Sequence, residues 1–528
     1  MASESEKPQE FDAFQDNIYN SLLAQTRSSG NLVAGDINFA KTIDDEFKAN
    51  LEACNKDILK LTENLLKVAA VGTDSTAPKL ETAEDLEDGW RDIVGVIDYL
   101  LERAGTCLDE YTGAMKKRQA APADDARAAQ KQEYKPRTNN FRNKNLDKPQ
   151  LQFRTPVNNH DQSPFRPLIT SKPHAIIPLE DSIRATMDDD LQTQYTHPYQ
   201  VEIERSEYPE SLFKRADPIP PQPYEGTEAT FVDTEEALME MLEELKKATE
   251  IAVDLEHHDL RSFVGIVCLM QISTREKDWI VDTLKLREEL QVLNEVFADP
   301  KIIKVLHGAF MDIIWLQRDL GLYMVNLFDT FHAANALGFP TRSLAFLLKK
   351  YVNFDAAKQY QMADWRIRPI PQEMFDYARS DTHFLLYIFD HLRNELIDKQ
   401  AMPNIEMSAI EYVIKESRQT ALKRFVKDTY NEKTGRGPSG WETFIKKNFV
   451  HLNLRQLAVF KALHAWRDRT ARTEDESHHY IMPKHVLLSL SRGMPEETTQ
   501  VLGAWGNKPP QVVRLQISDV VGLIKRAK

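Results

Sequence analysis

The feature that most constrains this chain is a short apolar run, Ile251-Ala-Val-Asp-Leu-Glu256, carrying two acids two residues apart. Its β-branched and aliphatic residues predict a buried strand, and on a strand residues i and i+2 project to the same side. Asp254 and Glu256 therefore leave one end of that strand together. Two like charges drawn out of water are unfavourable unless a cation compensates them. The pair predicts a divalent metal site. Acids at a strand end in open water give the same pattern, so the pair alone leaves both readings open.

The surroundings alternate strand and helix. Thr234 to Ala248 has the periodicity of an amphipathic helix, and Val264 to Ile272 and Trp279 to Asp282 read as further strands. Leu290 to Phe297 reads as helix, Ile302 to Leu306 as strand and Asp312 to Leu320 as helix. This alternation predicts an α/β layered domain. Asp312 stands where a strand gives way to a helix. In Met374-Phe-Asp-Tyr-Ala-Arg-Ser-Asp-Thr-His-Phe-Leu-Leu386, a helical stretch, Tyr377 and Asp381 lie one turn apart on one face. Asp282 and Asp329 fit no ligand spacing and read as caps of the following turn or helix. His478-His479, in an acidic stretch, reads as exposed loop.

Taken together, D-x-E, then D, then Y-x-x-x-D, each in its strand or helix context, resembles the DEDD superfamily of 3′→5′ exonucleases. Tyrosine four residues before the last aspartate points to the ribonuclease D branch. Val253-Asp-Leu-Glu-His-His258, Cys268-Leu-Met-Gln-Ile-Ser-Thr274 and Ala363-Asp-Trp-Arg-Ile-Arg-Pro369 resemble the eukaryotic nuclear exosome exoribonuclease, the PM/Scl-100 autoantigen family. Gly308 to Gln317 has a fungal look. The resemblance implies a ribonuclease H-like core, a mixed sheet flanked by helices, with Asp254, Glu256, Asp312, Tyr377 and Asp381 as catalytic residues.

It also implies two divalent cations about 4 Å apart, Mg²⁺ first with Mn²⁺ or Zn²⁺ as alternatives. Asp254 would bridge them, Glu256 and Asp381 would complete the first site, and Asp312 would support the second. Tyr377 would aim the attacking water. His257 and Trp315 match positions that the family packs against terminal nucleotides, although Trp315 also suits ordinary core packing. Lys358, Gln361 and Arg366 are candidates for holding phosphates or the 3′ ribose; a solvated loop is the competing reading. Rival functions are a DNA-directed DEDD exonuclease, and a scaffold that binds RNA or exosome subunits.

The flanks differ in character. Residues 1–110 carry helical stripes: Phe11, Phe14, Ile18 and Leu22; a heptad seam of Phe47, Leu51, Cys54, Ile58, Leu61 and Leu65; and Trp90 to Leu101. Their pattern fits a self-contained bundle or a helical docking platform, and the family resemblance implies the latter. Members bind a small basic helical cofactor protein there and reach the exosome core with it. Residues 111–170 read as a basic flexible linker, ten Lys/Arg standing against four Asp/Glu between Lys116 and Gln150. The proline-rich stretch 171–228 reads as an extended segment packed on the catalytic domain, 229–400. Residues 401–434 read as a connecting helix and linker. Residues 435–528 resemble an HRDC domain, an all-α module. The resemblance further implies a nuclear and nucleolar protein, with a basic tail beyond Lys528.

Composition sets the outer limits. The 528 residues exceed one compact core, predicting several domains. No run of 18 apolar residues occurs, so no membrane span is expected, and the start lacks the pattern of a signal peptide. Three cysteines, Cys54, Cys107 and Cys268, have no paired spacing and fit a reducing compartment. The net charge of −14 disfavours a protein that coats nucleic acid, but an enzyme gripping one strand end needs only a small basic patch.

Overall fold

The computed structural model describes residues 44–70, 78–80 and some single positions between 21 and 96. It also describes residues 146–528 apart from 188–192, 362, 400–406, 448–449 and 506–508. The stripe from Phe11 to Leu22, most of Trp90 to Leu101 and the basic stretch before 146 lie outside the described residues. Compact packing divides the chain into residues 1–100 and 101–528.

In the first unit, helix α1 spans Asp45–Ala69, and the Asp44 carboxylate caps it by accepting the Phe47 N–H. Leu59 and Leu66 are buried with Leu80, Ile93 and Val96. The expected heptad seam lies on another face. Ile58, Leu61 and Leu65 are exposed, as is Val68. A helix with two apolar stripes can pack only one against a given neighbour.

The first strands of the second unit form a hairpin, β1 (Ala185–Met187) and β2 (Thr193–Tyr195). A six-stranded mixed sheet follows. In chain order its strands are β3 (Thr230–Val232), β4 (Glu250–His258), β5 (Ile266–Ser273), β6 (Asp278–Val281), β7 (Ile303–Leu306) and β8 (Leu327–Asp329). Their order across the sheet is β3-β6-β5-β4-β7-β8. Strands β5 and β4 pair antiparallel, whereas β4, β7 and β8 run parallel. The sheet is covered on both faces, which is why β5 is buried along its whole length.

Alternation then decides the site. Val253 and Leu255 join a cluster with Leu238, Met241 and Leu242 of α2 (Glu235–Leu245). Ala252 lies on the opposite face with residues of the later helices α6 (Leu385–Asp398) and α7 (Ala409–Ala421). Asp254 and Glu256 share the parity of Ala252 and so face α5 (Gln372–His383). The predicted helix 312–320 is shorter and mixed: α3 is Phe310–Trp315, and Leu316–Leu320 forms a π-helical turn. Helix α4 (Thr330–Leu337) follows β8, and Asp329 caps it.

The C-terminal helices α8 (Leu454–Glu474), α9 (Lys484–Gly493) and α10 (Ile517–Ala527) enclose a core of Val459, Phe460, Leu463, Leu487, Val520 and Ile524. Phe263, from the β4–β5 loop, packs against that core. Two expectations fail here. Residues 146–170 are packed rather than a flexible linker: Gln150 and Asn159 donate to Asp475 at 2.8 Å each, and Lys148 pairs with Glu476 at 2.9 Å. Phe165 meets Phe425 edge-on at 5.0 Å. His478 is not in an exposed loop but opens a short helix, with Nε2 2.9 Å from Asp468. Both partnerships rest on contacts that local pattern does not reveal.

Asn453 and Gln456 form a reciprocal capping box at the start of α8. Asn453→Ala should therefore lower the stability of this module by about 1 kcal/mol. An earlier urea midpoint in tryptophan fluorescence is the expected reading.

Candidate metal centre and active site

One carboxylate oxygen each from Asp254, Glu256 and Asp381 lies within 4.8 Å of those of the other two. Asp254 and Glu256 come from the centre of β4, and Asp381 comes from α5, which packs on that face. Asp312, at the third position of α3, is buried and stands outside this tight trio. Its electrostatic influence still reaches Glu256, and that of Asp254 reaches it. Tyr377, one turn before Asp381, donates its hydroxyl to the Asp381 carboxylate. The structure thus brings the five expected residues to one place.

Electrostatics shows what the place lacks. Burial, first of all, raises Asp254 to about 7 and moves Glu256, Asp312 and Asp381 well above the usual carboxylate range. The other acids add to the rise: Glu256 feels Asp254, Asp381 and Asp312 as like charges. Burial and the nearby acids also push the Tyr377 phenol up, so it stays protonated. A set of close, buried, purely oxygen ligands suits a hard divalent cation.

The neighbouring architecture is specific. Between Glu256 and His257 the pairing with β5 skips Cys268, a bulge that re-aims the end of β4. The His257 ring stacks on Trp315, with centroids 4.0 Å apart and planes 1° from parallel. Its Nε2 lies 3.2 Å from the Arg318 guanidinium. Gly265 adopts φ +79°, and a Cβ there would meet the His257 ring at 2.2 Å, so only glycine leaves room for the stack. Burial, then Arg318, lowers the His257 pKa to about 4, so the ring is neutral at pH 7.

The other candidates fare differently. Arg366 is buried, its Nε and Nη2 donating to Asp364 at 2.8 and 2.7 Å. Its guanidinium is thus committed within the protein, with Nη1 alone lacking a partner. Gln361 is exposed after the 3₁₀ turn Lys358–Tyr360, and the Lys358 side chain lies outside the described residues.

Sequence reasoning passed over three supports. Asp329 caps α4 as expected, and it also accepts the Gly308 and Ala309 N–H groups at 2.7 and 3.0 Å. It therefore pins the turn that delivers Asp312. Arg318 braces His257, as described above. Gln271, the cross-strand partner of Asp254, donates Nε2 to Glu256 Oε1 at 3.3 Å. Of these, only Gln271 carried any signal, its parity on β5, and that has meaning only once the β4–β5 register is known.

Comparison with known proteins is consistent along the whole chain. The 3′–5′ exonuclease family matches residues 229–397, the NUC016 domain 23–113 and the HRDC domain 456–524. Exosome complex exonuclease RRP6 of Saccharomyces cerevisiae is 39% identical over 97% of the chain and 68% of its own length. The chain belongs to the RRP6 family of exosome exonucleases. Exosome complex component 10 of Homo sapiens is 36% identical over 98% of the chain, which spans 62% of that relative. The crystal structure of the RRP6 catalytic core from Trypanosoma brucei, 35% identical, superposes with a TM-score of 0.61 over 72% of this chain and 98% of that one. This RRP6-type, DEDD exonuclease membership implies divalent metal ions, and the acidic trio fits them.

A pH dependence follows. A carboxyl whose folded pKa is raised holds its proton in the native state after the unfolded chain has released it. Stability of the metal-free protein therefore falls as pH rises from about 4 towards 7, by at most about 4 kcal/mol for Asp254. Added Mg²⁺ should offset this, so the Tm gain on adding Mg²⁺ should grow between pH 5 and pH 8. A gain independent of pH would contradict the assignment.

Proposed function

We propose that this chain hydrolyses RNA from its 3′ end, releasing nucleoside 5′-monophosphates one at a time. The observation that carries the reading is the buried acidic trio with Tyr377 set one turn from Asp381. In this reading Asp254, Glu256 and Asp381 hold the cations, Mg²⁺ first among them, with Asp312 supporting a second position. Bound divalent cations would lower the pKa of a water and stabilise charge on the departing 3′ oxygen.

The protein's own groups do the rest. Tyr377 stays protonated beside the carboxylates, so it acts as a neutral hydrogen-bonding group that orients the attacking water. Water attacks the terminal phosphorus, the bond to the 3′ oxygen breaks, and the shortened strand keeps a 3′ hydroxyl. His257 and Trp315 present a flat stack for the end of the strand, and aromatic stacking accepts any base. Lys358 and Gln361 serve as phosphate or ribose contacts near that end. Arg366, buried and paired with Asp364, would hold the shape of this loop rather than reach the strand.

The wider role follows from the family. We assign the chain to the nuclear exosome, acting in RNA processing and decay in the nucleus and nucleolus. Its N-terminal unit would receive a small basic helical protein. The exposed row Ile58, Leu61, Leu65 and Val68 on α1 supports this, because its spacing suits a partner helix.

On a 3′-labelled single-stranded RNA, EDTA should stop hydrolysis without unfolding the protein, and a matched DNA strand should be cut far more slowly. Equal cutting of DNA would favour a DNA-directed enzyme. Asp254→Asn should abolish turnover while RNA binding persists. Tyr377→Phe removes one oxygen and nearly conserves volume. It should slow hydrolysis by about 100- to 10,000-fold with RNA affinity within a few-fold; wild-type turnover would rule out the role given to the hydroxyl. Removing residues 1–110 should leave RNA degradation nearly intact and abolish binding of the helical partner.

A further inference from the structure

Gln271 is fully buried on β5, directly across from Asp254 in the β4–β5 ladder. Cross-strand partners point to the same face, so its side chain lies on the face that carries Asp254 and Glu256. Ser273, two residues on and of the same parity, bonds Thr382 of α5 at 2.8 Å, which marks this as the face that α5 covers. The Gln271 amide therefore sits between the metal strand and the helix bearing Asp381.

Its two ends have different circumstances. Nε2 donates to Glu256 Oε1 at 3.3 Å. Oε1, one carbon away, is a buried acceptor with no partner among the described residues. A buried acceptor without a donor is unfavourable, so its presence here calls for a reason. The carboxylates of Asp254 and Glu256 share this face, and in their charged form they accept without donating. The hydration shell of a divalent cation held by those carboxylates would supply a donor for Oε1.

The chemistry of the side chain also fits. A carboxylate at 271 would add another negative charge to the cluster, and a lysine would compete with the cation. An amide offers one donor and one acceptor and no charge.

Resting on the exonuclease reading above, we infer that Gln271 is a positioning residue for the cation. Its Nε2 fixes one oxygen of Glu256 so that the other is aimed at the metal, and its Oε1 completes the hydrogen bonding of the hydrated ion. It touches neither the strand nor the scissile bond.

The test uses Gln271→Met, which nearly keeps volume and removes both polar ends, on the full chain. The probe is Mn²⁺ alone, its binding followed by electron paramagnetic resonance without RNA. Affinity should fall about tenfold, the lower end for losing a group that orients a metal ligand. The Mg²⁺ concentration for half-maximal hydrolysis should rise in parallel while KM for RNA stays unchanged. The metal-free variant should melt no lower than the wild type, because an unpaired buried acceptor has been removed. Gln271→Asn, which withdraws the amide by one methylene, should weaken Mn²⁺ binding in the same direction and serves if the methionine variant does not fold. Unchanged Mn²⁺ affinity in a folded variant, or a lower metal-free Tm with unchanged affinity, would overturn the role. A wild type that neither binds Mn²⁺ nor cuts RNA would overturn the exonuclease reading itself.

Discussion

Three carboxylates within 4.8 Å of one another, with a fourth buried nearby, repel each other where water screens them poorly. No local preference of the chain favours that arrangement, and the scaffold has to impose it. β4 lies inside the sheet, paired with β7 as far as Ala252 and with β5 through both acids, so Asp254 and Glu256 cannot relax outward without breaking the β4–β5 ladder. Asp381 is brought in by α5, whose buried Met374 and Ala378 join Cys268 and Leu269 of β5 in one cluster. Strain of this kind disappears when a cation arrives, which makes the apolar packing of the sheet and the metal affinity parts of one free-energy balance.

Asp312 reaches the site by a different route. It depends on the turn at Gly308, held by Asp329 at the end of β8. Asp329 is buried and negative, and its charge acts on Asp312 as a further repulsion. The group that positions the fourth carboxylate therefore also deepens the electrostatic well. The same turn leads into a helix that passes into a π-helical turn, where the adjacent Arg318 and Asp319 pair with each other at 2.8 Å. Arg318 then carries that rigidity back to His257 at the end of β4.

The five residues that the structure brings together were legible in the sequence because their spacing is local and each spacing has a geometric meaning. D-x-E works only on a strand and Y-x-x-x-D only on a helix, and the flanking apolar residues specify which. Strands β4 to β7 and helix α2 were legible for the same reason, whereas the three-residue edge strand β3 was not. The supports were not. Gln271 acts through the β4–β5 register, Arg318 through a π-helical turn, and Asp329 through a contact from the end of one strand back to the turn after another. Arg366 looked like an RNA contact because a basic residue in a loop suggests solvent, yet Asp364, two residues earlier, claims most of its guanidinium. The strap 146–170 looked like a linker because its composition is polar. Its glutamine and asparagine side chains turn out to be the means of attachment.

That strap shows how the helical C-terminal module is seated. Asp475 receives Gln150, Asn159 and the Phe263 N–H, and Glu476 pairs with both Lys148 and Arg261. These groups are largely withdrawn from water, and desolvation offsets much of their attraction. What such a seam contributes is direction: hydrogen bonds to fixed partners permit one orientation, whereas an apolar contact tolerates sliding. Arg261 donates its backbone N–H to His258, which itself lies two residues beyond Glu256. The module is thus fastened to the strand that carries Asp254 and Glu256, within one loop of them. A shift of the module would pull first on His258 and the bulge beside Glu256, so the seam and the carboxylate geometry are mechanically one element.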